Sequence, residues 1–410
     1  MRMKLYRILA VVSCLSMAMV GAVYSQNTGH YENPEYGFSQ AVRLYEKFAA
    51  AKQAFSAVQR DLQEDEAHMR SEAMYYKAMC DVMLYHKSGA KALREFVEAY
   101  PNSNRVNSAY FRLANFEYEY KRYGDACSYF EKVNPNDLDA KDGETELFYF
   151  RSGYSFFMKR DYGEAKLHFS ELVGYENRYQ VVSTYYYAYI LYLEGYYQNA
   201  LDYFKRIESD PAFASIVPLY MLQIYHMLGD SKEVIEAGPA LLESASDKRA
   251  AEIGRLLGEA LYKEGRYQEA VPYLTNFYQN SARVPDAEGR YILGYCYYKM
   301  EYFDSAVYYF QGVMPLHPDA ALQQSTLYHL AYCYARLNKK KFAMDAFAEA
   351  ARIQGQNPVL EEDAMYHYAQ LAYELGLTPY HESMKVLEDF LERYPNSVYA
   401  KRIHTYMVRM

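Results

Sequence analysis

The feature that most constrains this chain is one spacing, repeated without variation. Gly153, Phe156, Tyr162, Ala165 and Phe169 are separated by 3, 6, 3 and 4 residues. The same intervals join Ala188, Leu191, Tyr197, Ala200 and Phe204, then Gly258, Leu261, Tyr267, Ala270 and Leu274, and again Gly294, Tyr297, Phe303, Ala306 and Phe310. Self-similarity at a period of a few tens of residues marks an array of small supersecondary units. Within each copy the intervals of three and four put apolar residues on one helix face, and the interval of six leaves room for a turn. Each copy therefore reads as two antiparallel helices, with Gly or Ala where they approach most closely.

Weaker copies extend the frame outward, at Ala51/Phe55, Gly89/Leu93, Ala114 with Ala126/Phe130, Leu222 with Val234, Ala331 with Ala343/Phe347, and Ala369 with Ser383/Leu387. The small positions of successive second helices lie 34 to 40 residues apart, which gives about ten hairpins in one continuous array over 38–410. Turn chemistry fits this register. Asn134-Pro135-Asn136-Asp137, Pro211, His317-Pro318-Asp319 and Asn357-Pro358 fall between hairpins, and Gly195, Gly229, Gly265 and Gly376 fall within them, where left-handed caps are expected. With 50 Tyr, no Trp, 20 Gly and 13 Pro in 410 residues, composition also favours helices over a turn-rich β fold.

The first 25 residues differ from the rest. Arg2, Lys4 and Arg7 precede an uncharged apolar run, Ile8 to Val20, and Val23-Tyr24-Ser25 offers a small-residue cleavage site. This is the pattern of a secretory signal (1–25), followed by a short segment (26–37), with Gln26 as the mature N-terminus. A lipoprotein signal at Val11-Val12-Ser13-Cys14 is the rival reading, and it would lipidate Cys14. Removing the three leader cations takes the formal charge from −8 to −11, which disfavours a nucleic-acid partner. Cys80, Cys127, Cys296 and Cys333 lack framework spacing and read as buried thiols.

The frame resembles the tetratricopeptide repeat, with its small residue and tyrosine on the first helix and its Ala and aromatic on the second, over roughly 38–410. Trp near the start of that repeat is replaced here by Tyr110 or Tyr149, or by unrelated residues. The chain is also similar to the exported repeat proteins of Gram-negative envelopes. The resemblance implies an all-α, right-handed superhelical solenoid whose first helices line a concave groove. It places Tyr185, Tyr189 and Tyr192, then Tyr291, Tyr295 and Tyr298, then Tyr328 and Tyr332 in that groove, with Tyr366 and Tyr373 near the end.

The spacing of these tyrosines makes each set one stripe along its helix. Such a stripe packs against the neighbouring hairpin or meets a ligand. Tyr offers a flat apolar face plus a donor and acceptor, which suits a peptide or a sugar. The last helix carries Ile403, Tyr406, Met407 and Met410, which implies an apolar end open to association.

Signatures of catalysis are missing: His381-Glu382 has no second His at the zinc-protease spacing, and there is no Gly-x-Ser-x-Gly elbow, phosphate loop or Cys-x-x-Cys pair. The acidic runs Glu64-Asp65-Glu66 and Glu361-Glu362-Asp363 read as solvated faces or helix N-terminal charges. The resulting expectation is a non-catalytic scaffold without cofactor or metal, in the periplasm or on the periplasmic face of the outer membrane, not integral to the membrane, binding a protein or peptide. A glycan-binding module of the envelope is the alternative.

Overall fold

In the computed structural model the described residues are 47–53, 55–56, 67–84, 86–280, 286–376 and 380–410. The leader (1–25), the segment 26–37 and the start of the array at 38 lie outside them, as do the Glu64-Asp65-Glu66 run and the side chain of His381. All regular elements among the described residues are helical. The chain divides between Phe213 and Ala214 into two units.

The first unit holds a helical stretch at 47–53 and then four helix pairs: α1 (Ala67–Met83) with α2 (Lys87–Ala99), α3 (Val106–Glu119) with α4 (Tyr123–Phe130), α5 (Glu144–Met158) with α6 (Tyr162–Ser170), and α7 (Gln180–Leu193) with α8 (Tyr197–Lys205). The second holds α9 (Val217–Leu228) with α10 (Ser231–Ser244), α11 (Asp247–Lys263) with α12 (Tyr267–Asn280), α13 (Ala287–Lys299) with α14 (Phe303–Gln311), α15 (Ala320–Arg336) with α16 (Lys340–Arg352), and α17 (Pro358–Leu375) with α18 (Tyr380–Arg393). A last helix, α19 (Ala400–Arg409), follows.

The recurring frame has a direct packing cause. A Cβ added to Gly153 would come within 3.0 Å of Phe169 Cε1, one on Gly258 within 2.5 Å of Leu274 Cγ, and one on Gly294 within 2.7 Å of Phe310 Cδ1. In each case the large side chain lies sixteen residues on, at the far end of the frame. The small residue is thus the seat for the ring or isobutyl group of the partner helix. Gly153, Ala165, Ala188, Ala200, Gly258, Ala270, Gly294, Ala306, Ala331 and Ala343 are all buried. In α9 and α10 the sizes are exchanged: Leu222 stands at the small position, and Gly238 supplies the space, where a Cβ would meet Leu257 at 2.5 Å.

Three of the turns between hairpins end in side-chain caps. Asp286 Oδ1 accepts from Gly289 N at 2.9 Å, Asp319 Oδ1 from Leu322 N at 2.8 Å, and Asn357 Oδ1 from Val359 N at 3.1 Å, with Pro358 at the first helical position. Turns within hairpins share one motif. A residue of positive φ is followed by an N–H that donates back to the carbonyl five residues earlier, as from Arg266 to Leu261 (2.8 Å) and from Tyr302 to Tyr297 (2.9 Å). Gly195, Gly229, Gly265 and Gly376 fill this position as expected, but Lys121, Arg160, Glu301 and Asn338 fill it in the other turns.

Candidate functional site: the tyrosine faces of the first helices

All eight singled-out tyrosines lie on first helices and are half-buried. On α7 the rings of Tyr185, Tyr189 and Tyr192 form a row, with centroids 6.2 and 6.3 Å apart and planes inclined by 6° and 27°. Tyr185 also stacks on Phe213 at 4.8 Å, and Tyr189 meets Phe157 of α5 at 6.0 Å. On α13 the row Tyr291, Tyr295, Tyr298 is spaced by 6.1 and 5.9 Å, and all three rings contact His329 of α15. The stripes therefore occupy the seam between successive first helices, and they leave part of each ring uncovered.

Tyr328 and Tyr332 on α15 have their hydroxyls engaged. Both donate to Asp363 Oδ2 on α17, at 2.7 and 2.9 Å, and Tyr332 Oη lies 2.8 Å from His367 Nε2. Tyr399 donates to Asp363 Oδ1 at 2.7 Å. Burial alone would raise the Asp363 carboxyl, but the three hydroxyl donations outweigh it and hold the group below its ordinary range. Burial also keeps His367 below its ordinary value, against the pull of Asp363.

This cluster corrects the reading of Glu361-Glu362-Asp363 as a solvated run. Glu361 Oε1 accepts from Tyr394 Oη at 3.0 Å and Glu362 Oε1 from Ser397 Oγ at 2.6 Å, so all three carboxylates tie the segment leading into α19 to α17. Little in the sequence signals it, because the donors lie more than thirty residues away along the chain. The apolar end is corrected too. Ile403 is fully buried, Tyr406 stacks on Tyr373 at 4.6 Å, and Met407 and Met410 pack against the core; the exposed apolar side chains here are Val398 and Val408.

In the first unit, charge takes the place of the tyrosine bonds. Arg112 of α3 pairs with Glu144 of α5, and buried Arg151 of α5 donates to Asn115 Oδ1 at 2.8 Å and pairs with Glu119 of α3. The Arg151 guanidinium lies 4.8 Å over the Tyr118 ring. A lone Arg directly after the apolar run Leu147-Phe148-Tyr149-Phe150 was the available signal for this buried site.

His168 and His329 are held neutral by burial, down to about 4. The four described cysteines are free and buried, their thiols pushed up by burial to about 12 at Cys80, Cys296 and Cys333 and about 11 at Cys127. Among the described residues no three His, Cys, Asp or Glu side chains converge on a metal position, and no helix is long and apolar enough to cross a membrane.

Two stretches, 255–321 and 363–397, match tetratricopeptide repeat family models. With its paired helices and recurring frame, the chain carries repeats of the tetratricopeptide class over those two stretches. That class is in general a non-catalytic scaffold for protein interaction. No curated protein matches the chain in sequence. Among solved structures it is similar to YrrB, described as a TPR protein with an unusual peptide-binding site (20% identity over 48% of this chain and 96% of that one, TM-score 0.40). It is similar also to MamA (20%, 46% and 96%, TM-score 0.37) and to Pseudomonas aeruginosa pilF (17%, 55% and 96%, TM-score 0.39).

Proposed function

We propose that this protein is an exported, non-catalytic scaffold of the cell envelope that holds an extended peptide or a partner helix against the tyrosine faces of its first helices. The observation that carries the reading is the row on α7. Tyr185, Tyr189 and Tyr192 lie nearly face-parallel, each fixed by its neighbours yet only half-buried. Rings immobilised in advance lose little entropy on binding, and each presents an apolar face with a hydroxyl that can donate or accept. The rows on α13 and α15 repeat the arrangement. The basic and apolar leader at 1–25 supports export to the periplasm or the periplasmic face of the outer membrane.

The test is a displayed peptide library and a panel of envelope polysaccharides, each probed with the chain from Gln26 onward and with Tyr189→Ala/Tyr192→Ala. Peptide retention that the double variant loses supports the scaffold reading. Retention of polysaccharide alone replaces it with the glycan-binding one, and selected peptides that bind both proteins equally move the binding surface away from α7, toward the α19 end.

A further inference from the structure

Large apolar side chains that the fold leaves in water are not scattered over this molecule. Among the described residues fifteen are well exposed, and nine of these lie within four residues of the left-handed residue of a within-hairpin turn. First helices run in parallel register inside each unit. Arg112 in the middle of α3 pairs with Glu144 at the start of α5, and Glu119 at the end of α3 pairs with Arg151 in the middle of α5, while Tyr328 and Tyr332 meet Asp363 and His367 in the same order on α15 and α17. The turns of neighbouring hairpins consequently follow one another along a single edge of each unit.

On that edge the apolar tips stand beside cations. In the first unit Tyr120 and Met158, 40% and 45% exposed, adjoin Lys121, Lys159 and Arg160, which form no ion pair among the described residues. In the second unit Phe342, 60% exposed, adjoins Lys339 and Lys341, likewise unpaired, and Tyr302, 62% exposed, lies at the preceding turn, while Glu301 and Glu374 at these turns are already engaged by Arg336 and Lys340. Asp161, next to Arg160, caps α6. The turn of α9/α10 carries Asp230 with Lys232, and that of α11/α12 carries Lys263 and Glu264 with Arg266 held by Glu269.

We propose that these turn edges dock the protein on an anionic phospholipid surface. The tips project from the ends of helices and follow one another along an edge, so the partner that meets several of them together is a flat one. Aromatic and Met side chains interleaved with Lys and Arg are the set that partitions into a charged bilayer interface, the apolar body entering and the cation staying at the headgroups. Each cation near an anionic leaflet adds attraction that salt screens. Neither the tyrosine rows nor the peptide they would hold takes part, so this inference stands apart from the proposed function.

Because the chain contains no tryptophan, a single introduced Trp reports insertion cleanly. Phe342→Trp and Tyr308→Trp would each be mixed with vesicles of phosphatidylcholine alone and of phosphatidylcholine doped with phosphatidylglycerol. Tyr308 is 73% exposed but lies within α14, away from the turn, and serves as the control. The expected result is a blue shift for Trp at 342 on the doped vesicles only, abolished in high salt, with no shift at 308. Lys339→Glu/Lys341→Glu should weaken co-sedimentation with doped vesicles at least roughly tenfold while leaving the thermal melt in place. Absence of binding to doped vesicles, equal shifts at 342 and 308, or binding that ignores the charge reversal would overturn the proposal.

Discussion

Tyr295 and Tyr332 occupy matching stripes on neighbouring first helices, yet their side chains do different work. Tyr295 is held by its ring, against Tyr262, Tyr267, Tyr291, Tyr298 and His329. Tyr332 is held by its hydroxyl, which meets both Asp363 and His367. Tyr295→Phe should therefore change unfolding free energy by less than about 0.5 kcal/mol, while Tyr332→Phe should cost about 1–2 kcal/mol by depriving a half-buried carboxylate of a donor; denaturant melts of the two variants separate them. The small positions give a sharper test of register. Ala306 is fully buried, so Ala306→Leu should cost about 1–3 kcal/mol by overpacking, and an unaltered melt would contradict the frame. Glu301 carries a side chain at φ 64, where four other turns use glycine, so Glu301→Gly should raise stability by up to about 1 kcal/mol. At this scale the close approaches were legible, because Gly and Ala recur at fixed intervals. The left-handed residues at 121, 160, 301 and 338 were not, because Lys, Arg, Glu and Asn announce no turn.

Helix α19 shows how an element can be held by bonds that sequence pattern does not reveal. Its own apolar contribution to the core is chiefly Ile403. Beyond that and the Tyr406–Tyr373 stack, it is attached through the Tyr394, Ser397 and Tyr399 bonds to the carboxylates of α17, with Tyr399 stacked on Tyr366 at 4.0 Å. Asp363→Ala should accordingly speed amide exchange in α19 well before it alters exchange in α13 or α14, as hydrogen–deuterium exchange would show. Hydrophobic periodicity found the helix but placed Tyr406, Met407 and Met410 in the open, because it carries no information on which face a distant helix covers.

The histidines give these elements a pH response of definite sign. His168 and His329 titrate near 4 when folded, below the ordinary value near 6.5, so the unfolded chain binds more protons between those limits. Their contribution to stability should be flat above about pH 7 and fall as pH drops from about 6.5 toward 4. His329→Gln should make that fall shallower, as melts across the range would report.

For the whole molecule, repetition is what made the fold readable. One spacing, read in four copies and traced outward, located the second helix of every described pair, since the four strong copies solve the same packing problem with the same small-to-large arrangement. The break between Phe213 and Ala214 left no mark in the frame, whose intervals pass through it with only a weaker copy on the far side. Function was less legible. The tyrosine stripes were found, but their division of labour between seam and surface depends on which residue of the next first helix lies opposite: His329 for one stripe, Asp363 and His367 for another.

The most direct test of the scaffold reading is a hydrogen–deuterium exchange footprint of the chain saturated with a peptide selected from a displayed library. The account predicts that protection gained on binding falls on first helices, above all on α7 around Tyr185 to Tyr192, and that second helices are unchanged. Protection confined to second helices, or a chain that selects no peptide at all, would contradict it.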